Sequence, residues 1–228
     1  MPIASNLARV RRGVADACTA AGRDESDVRL LPVSKTHPVE DIGEVISAGC
    51  TEFGENRVQE MAAKAGQLSG VSWVLIGHLQ RNKAALACTV MSELQSLDSL
   101  KLAAVLDRWY EENRPDEQLK VLVEVNTSGE PSKSGVHPDS VLDFTASLRS
   151  YPHLDVQGLM TVAHPDPQLA DAGFAMMSSL QNRLQDRDGH GWHELSMGMS
   201  ADFVSAIAHG STCVRIGTAI FGQREVNQ

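Results

Sequence analysis

What most constrains this chain is an alternation repeated eight times: a short run rich in apolar and β-branched residues, then a stretch whose apolar residues fall at helical spacing. Such alternation is the pattern of parallel strands joined by crossover helices. The predicted strands are VRLLPVS (28–34), TEFGE (51–55), SWVLIG (72–77), VMSELQSLD (90–98), KVLVEVNT (120–127), DVQGLMTVA (155–163), HELSMG (193–198) and TCVRIGTAIFG (212–222). Between them, VEDIGEVISAG sets Val39, Ile42, Val45 and Ile46 on one stripe and stops at Gly49. DSLKLAAVLDRWYEEN does the same with Leu100, Ala103, Ala104 and Trp109. NRVQEMAAKAGQL, QRNKAALAC, DSVLDFTASLRS, QLADAGFAMMSSLQNRLQD and SADFVSAIAHG supply further helices.

Eight strand–helix units in 228 residues predict a single (β/α)8 TIM-type barrel with an extra N-terminal helix, occupying residues 1–228 as one domain. An open doubly wound sheet would use fewer strands or more chain. ENRPDEQ (112–118), TSGEPSKSG (127–135) and AHPDPQ (163–168) read as loops, not as domain boundaries.

Composition excludes several classes. No apolar run approaches the roughly 18 residues of a membrane helix, and Arg9, Arg11 and Arg12 interrupt the N-terminus where a signal peptide would be apolar. A cytoplasmic protein is expected. The formal charge of −9 repels nucleic acid and anionic lipid over most of the surface, while leaving room for local anion sites. Cys18, Cys50, Cys88 and Cys213 are scattered and are expected to be reduced; His190 and His193 lack further ligands nearby, so no metal site is expected.

On a barrel of this kind the strand C-terminal ends form the working face. LLPVSKTHP (30–38) puts Lys35 at the first such end. A lysine closing a strand is by itself an ordinary surface residue. Alternation, however, groups it with Leu31 and Val33, opposite Leu30, Pro32 and Ser34, so it is expected to point inward. Loss of hydration there favours the neutral amine, a nucleophile toward aldehydes. Pro32 removes a ladder donor, and a local bulge is expected around it.

LSMGMSADFVSAIAHG is a strand turning into a helix, with Ser200 placed as its N-cap and Asp202 in its first turn. Read alone it is a capped turn. The next strand adds Arg215, Gly217 and Thr218, so βα loops seven and eight both carry groups that suit a phosphate. A nucleophilic lysine with a phosphate site fits a pyridoxal phosphate protein or a phosphosugar aldolase, and spacing does not separate the two.

PVSKT (32–36), FGENRVQE (53–60), IGHLQRNK (76–83), VNTSGEPSKSG (125–135), GLM (158–160) and LSMGMSADFVSAIAHGSTCVRIGTAIFG (195–222) resemble, in order, the motifs of the pyridoxal phosphate homeostasis (YggS/PROSC) family. The resemblance implies a barrel like the N-terminal domain of alanine racemase, with pyridoxal 5′-phosphate held as a Schiff base on Lys35. It further implies that Ser196, Ser200, Gly217 and Thr218 hold the phosphate. Arg215 should lie at the ring nitrogen or close to the phosphate, and Asn56 and Met160 should line the pocket. His78, Arg81, SLDS (96–99) and the absence of proline after GLM depart from the family pattern and bear on rim contacts and partner preference.

Racemisation needs a base on each face of the substrate α-carbon. Lys35 could serve one face, but Tyr110 and Tyr151 fall in or beside predicted helices, and the chain stops six residues past its eighth predicted strand. A permanently charged Arg215 at the ring nitrogen would discourage ring protonation and weaken the cofactor as an electron sink. The expectation is a monomeric carrier for vitamin B6 homeostasis with no catalytic residues, which delivers cofactor to pyridoxal-phosphate-dependent apo-enzymes. The alternatives are a weak racemase or transaminase and a cofactor-free Schiff-base phosphosugar lyase.

Overall fold

The computed structural model describes residues 2–130, 133–189 and 191–223. After helix α1 (Ile3–Ala20) the chain alternates β1 (Arg29–Pro32), α2 (Val39–Ser47), β2 (Glu52–Glu55), α3 (Val58–Ala65), β3 (Ser72–Leu75), α4 (Ala84–Val90), β4 (Met91–Leu97) and α5 (Leu100–Asn113). It continues through β5 (Leu119–Glu124), α6 (Val141–Leu148), β6 (Leu154–Met160), α7 (Pro167–Asp188), β7 (Glu194–Ser196), α8 (Phe203–Ala208), β8 (Cys213–Ile216) and α9 (Thr218–Phe221). The strands are parallel and ordered β1-β8-β7-β6-β5-β4-β3-β2. Between β1 and β2 the ladder shrinks to one bridge, Val33 with Gly54, where the Ser34 N–H donates to Gly54 O at 3.1 Å. The result is a nearly closed (β/α)8 barrel.

Strand alternation divides the apolar residues into two layers. Leu31, Val74, Cys213 and Ile76 meet inside the barrel, whereas Phe53, Trp73, Val121, Val123 and Leu195 face outward and pack under the helices. Below the inner apolar layer, Arg29 pairs with Glu93 at 2.8 Å and Glu194 at 3.2 Å, which plugs the bottom with charge. Helix α1 buries Leu7, Val10, Val14, Ala17 and Cys18, a stripe at three- and four-residue spacing. That stripe lies over α8 and α9, and Asn6 donates to Ile220 O at 3.0 Å. Because α9 has only four residues, α1 takes over much of the cover that an eighth crossover helix would give.

Several expectations are corrected. The eighth strand ends at Ile216, not Gly222: the N–H groups of Ile220 and Phe221 turn back to Gly217 O at 2.9 and 3.0 Å, and TAIF becomes α9. A short apolar run cannot be divided into strand and helix by period alone. No bulge forms at Pro32, whose register with Ile216 is regular. The N–H groups of Arg29 and Val33 point to β8, so by alternation the nitrogen of Pro32 faces the β2 side, where almost no ladder needs a donor. The buried stripe of α5 is Leu102, Ala103, Leu106 and Tyr110, while Leu100 and Ala104 are exposed. The four cysteines are free thiols. Among the described residues no cluster of metal-ligating side chains occurs and no helix is long and apolar enough to cross a membrane; His190 lies outside the described residues.

Candidate functional site

The chain leaves β1 through a tight turn, in which the His37 N–H donates to Ser34 O at 3.1 Å. Lys35 is half-buried at its second position. Leu31 and Val33 lie together inside the barrel, beside the position a Cβ on Gly54 would occupy, so the strand reaches Lys35 at its inner edge. Thr36, at φ 68°, is the one non-glycine residue with positive φ among the described residues. A β-branched side chain in that region is strained, by roughly 1–3 kcal/mol.

Support comes from the other face. Ser34 is buried and its hydroxyl donates to Glu55 Oε1 at 2.6 Å. Lys64, on α3, is also buried, and its ammonium donates to Ser34 O (2.8 Å), Glu55 Oε1 (2.7 Å) and Glu60 Oε1 (2.8 Å). Glu60 Oε1 in turn accepts from the Thr36 N–H at 2.5 Å. Burial pushes the Glu55 carboxyl above its usual range, while Lys64 and Ser34 pull it down. Sequence reasoning missed this cluster, because a lysine among alanines on a helix reads as a solvated face. The signal that was available is Glu60 and Lys64 at i, i+4 beside a strand-end Glu55.

At the neighbouring end of β7 and β8, Arg215 is 3% exposed. Its guanidinium donates to Ser196 Oγ and to Thr161 O, each at 2.7 Å, and burial presses it below its ordinary pKa, offset by Cys213, Glu124 and Asp202. The Ser196 hydroxyl gives its one proton to Gln95 Oε1 at 2.7 Å. Gly198, at φ 95°, turns the chain where a Cβ would lie 2.6 Å from that of Ala206.

Ser200 is not the N-cap of α8. That position belongs to Asp202, whose carboxylate holds the turn by accepting from the Met199 N–H at 2.6 Å. Ser200 Oγ instead accepts from the Ala219 N–H at 3.3 Å, on α9. The seventh and eighth βα loops are thereby joined. Gly217 is the N-cap position of α9 and backs onto β1: a Cβ there would stand 3.2 Å from Val33 O. Thr218, the first residue of α9, is exposed.

Asn56 follows β2 and is half-buried; Gly77 allows the end of β3 to approach it, since a Cβ would meet Asn56 O at 2.2 Å. Met160 closes β6, fully buried, on the strand face opposite Leu159 of the outer layer. All eight expected residues thus stand at strand C-terminal ends, on one mouth of the barrel. His78 is exposed with Nδ1 at 3.2 Å from Asp98 Oδ2, and Arg81 is exposed in a 3-10 turn.

One further residue at this mouth was not foreseen. Glu124 ends β5 on the inward face, opposite Val123 and Val125 of the outer layer. It is 8% exposed, and its Oε2 is buried without a hydrogen-bond partner. Burial pushes its carboxyl up to about 7, Asp98 adds to the rise and Arg215 opposes it. An arginine, a serine–threonine pair on two joined loops, opening backbone N–H groups and a lysine one strand away form a donor set suited to a phosphorylated aldehyde.

Comparison with known proteins places the chain in a family. The family model "alanine racemase, N-terminal domain" matches residues 5–225. A pyridoxal phosphate homeostasis protein of Pasteurella multocida is 42% identical, with 100% of each chain covered. Another, of Pseudomonas aeruginosa, is 39% identical over 98% of this chain and 96% of its own. The structure of PipY from Synechococcus elongatus with pyridoxal phosphate bound superposes with a TM-score of 0.84 at 34% identity, covering 96% of this chain and 100% of PipY. Alanine racemase of Clostridium difficile shares the fold alone, at a TM-score of 0.74 and 14% identity, covering 95% of this chain and 56% of the racemase. The chain belongs to the pyridoxal phosphate homeostasis proteins, a family built on the alanine racemase N-terminal domain.

Proposed function

We propose that this protein binds pyridoxal 5′-phosphate as a Schiff base through the Lys35 amino group and serves vitamin B6 homeostasis in the cytoplasm without turnover of its own. The observation that carries the reading is adjacency. Gly217 backs directly onto Val33, so the loop offering Thr218 and, through Ala219, Ser200 lies beside the turn that carries Lys35. When bound, the cofactor supplies an aldehyde for an amine and a ring able to accept electrons.

In this reading Ser200, Thr218 and the Gly217–Thr218 backbone hold the phosphate. Ser196, its proton given to Gln95, orients Arg215 toward the ring nitrogen or the phosphate from beneath. Asn56 and Met160 line the sides. Arg215 keeps its charge and hands over no proton, which limits carbanion chemistry. Tyr110 is buried in α5 and Tyr151 follows α6, so neither stands at the mouth as a base for the opposite face. Release of the cofactor to dependent apo-enzymes by a monomer, with no nucleic acid involved, completes the proposal.

One observation favours a second reading, a weak racemase or transaminase: Glu124 is poised near neutrality at the mouth, as a general base would be. The experiment that decides is solvent deuterium exchange into the α-position of added alanine or serine by yellow, cofactor-loaded protein. Carriage predicts negligible exchange. Rapid exchange with inversion would establish the second reading, and protein that stays colourless after loading would point to the cofactor-free phosphosugar lyase.

A further inference from the structure

We infer that Lys64, acting with Glu60 and Glu55, is a positioning residue for Lys35; this rests on the proposal that Lys35 is the imine-forming lysine. Both peptide units flanking Lys35 are tied to one buried ionic cluster. Lys64 Nζ donates to Ser34 O on the N-terminal side, and Glu60 Oε1, itself bound by Lys64, accepts from the Thr36 N–H on the C-terminal side. Ser34 Oγ adds a third tie, to Glu55 Oε1. The cluster lies on the strand face opposite Leu31 and Val33, outside the barrel, so it holds the turn from behind while leaving the mouth to Lys35.

Two physical considerations single out positioning over plain stability. A buried ion pair contributes little net stability, because desolvation of both charges offsets their attraction. Here all three ammonium protons of Lys64 are directed at acceptors that converge on one turn. The turn also needs holding: Thr36 is kept at φ 68°, which a β-branched residue leaves when nothing restrains it. Released, Thr36 would return to negative φ and carry the Lys35 Cα with it.

The test compares two ligands that differ in imine chemistry. Pyridoxal 5′-phosphate can bond to Lys35; pyridoxine 5′-phosphate, an alcohol in place of the aldehyde, has the same ring and phosphate and cannot. For Lys64→Met the imine absorbance should require at least tenfold more pyridoxal 5′-phosphate than in the parent, while pyridoxine 5′-phosphate binds within twofold, measured calorimetrically. Adding Thr36→Gly, which makes positive φ available without the clamp, should recover much of the loss. Glu60→Ala, a less buried change that cuts the tie to Thr36, should shift the imine in the same direction and serves where Lys64→Met fails to fold. Equal weakening of both ligands in the folded variants, or no weakening of either, would overturn the inference. A parent protein that forms no imine at all would instead defeat the proposed function from which the inference starts.

Discussion

Glu124 carries a pH dependence whose sign follows from its burial. Its carboxyl is raised from an ordinary value of 4.5 to about 7, so between these pH values the folded chain keeps a proton that the unfolded chain has lost. Stability therefore falls as pH rises through this window, by on the order of 3 kcal/mol, with the penalty fully present above it. Glu55 and Glu194, both raised by burial, act in the same direction, so the difference between parent and variant isolates Glu124. Glu124→Gln, without cofactor, should melt higher than the parent at pH 8 and about equally at pH 4. An unchanged difference across that range would show that Glu124 ionises freely in the fold. That Lys35 and Arg215 stand at strand C-terminal ends was legible from the strand pattern, whereas the cofactor roles proposed for them came only with the family resemblance. Glu124 and Lys64 were not, because a single charge in a strand or helix announces burial only when the partners that surround it, here Arg215 and Asp98 or Ser34 and Glu55, are brought from distant parts of the chain.

Between elements, the informative contact is the one joining the seventh and eighth loops. The strand, the turn and the helix of LSMGMSADFVSAIAHG were all legible, since glycine and small polar residues mark the break. Which residue caps which helix was not. Asp202 and Ser200 are both competent caps, and the choice depends on where α9 lies, a segment that reads as strand. Ser200→Ala should free the Ala219 N–H and cost about 1 kcal/mol or less of stability without cofactor, whereas Thr218→Ala should leave melting unchanged. Loss of a charge-assisted hydrogen bond is worth roughly 1.5–3 kcal/mol, so each variant should bind pyridoxal 5′-phosphate about tenfold more weakly or worse. Both should bind unphosphorylated pyridoxal as the parent does. Titrations showing equal losses for the two aldehydes would place the phosphate elsewhere.

At the scale of the molecule, the number and order of strands were legible because each is a compact apolar run bounded by turn residues, such as SWVLIG before His78 and KVLVEVNT before Ser128. The incomplete seam was not legible. Pro32 looked like a defect within a ladder, whereas it lies where β1 and β2 share one bridge, and α1 packs on α9, α8 and α2. The regular β1–β8 ladder, on the other side of β1, sets Gly217 against Val33, two residues before Lys35, and on the proposed reading this brings the two motifs to one site. The most direct measurement is borohydride reduction of the protein loaded with pyridoxal 5′-phosphate, followed by peptide mass mapping. The account predicts one stable pyridoxyl adduct, on Lys35, absent from Lys35→Ala although that variant still folds. An adduct on Lys64, Lys83, Lys101, Lys120 or Lys133 in place of Lys35 would contradict it.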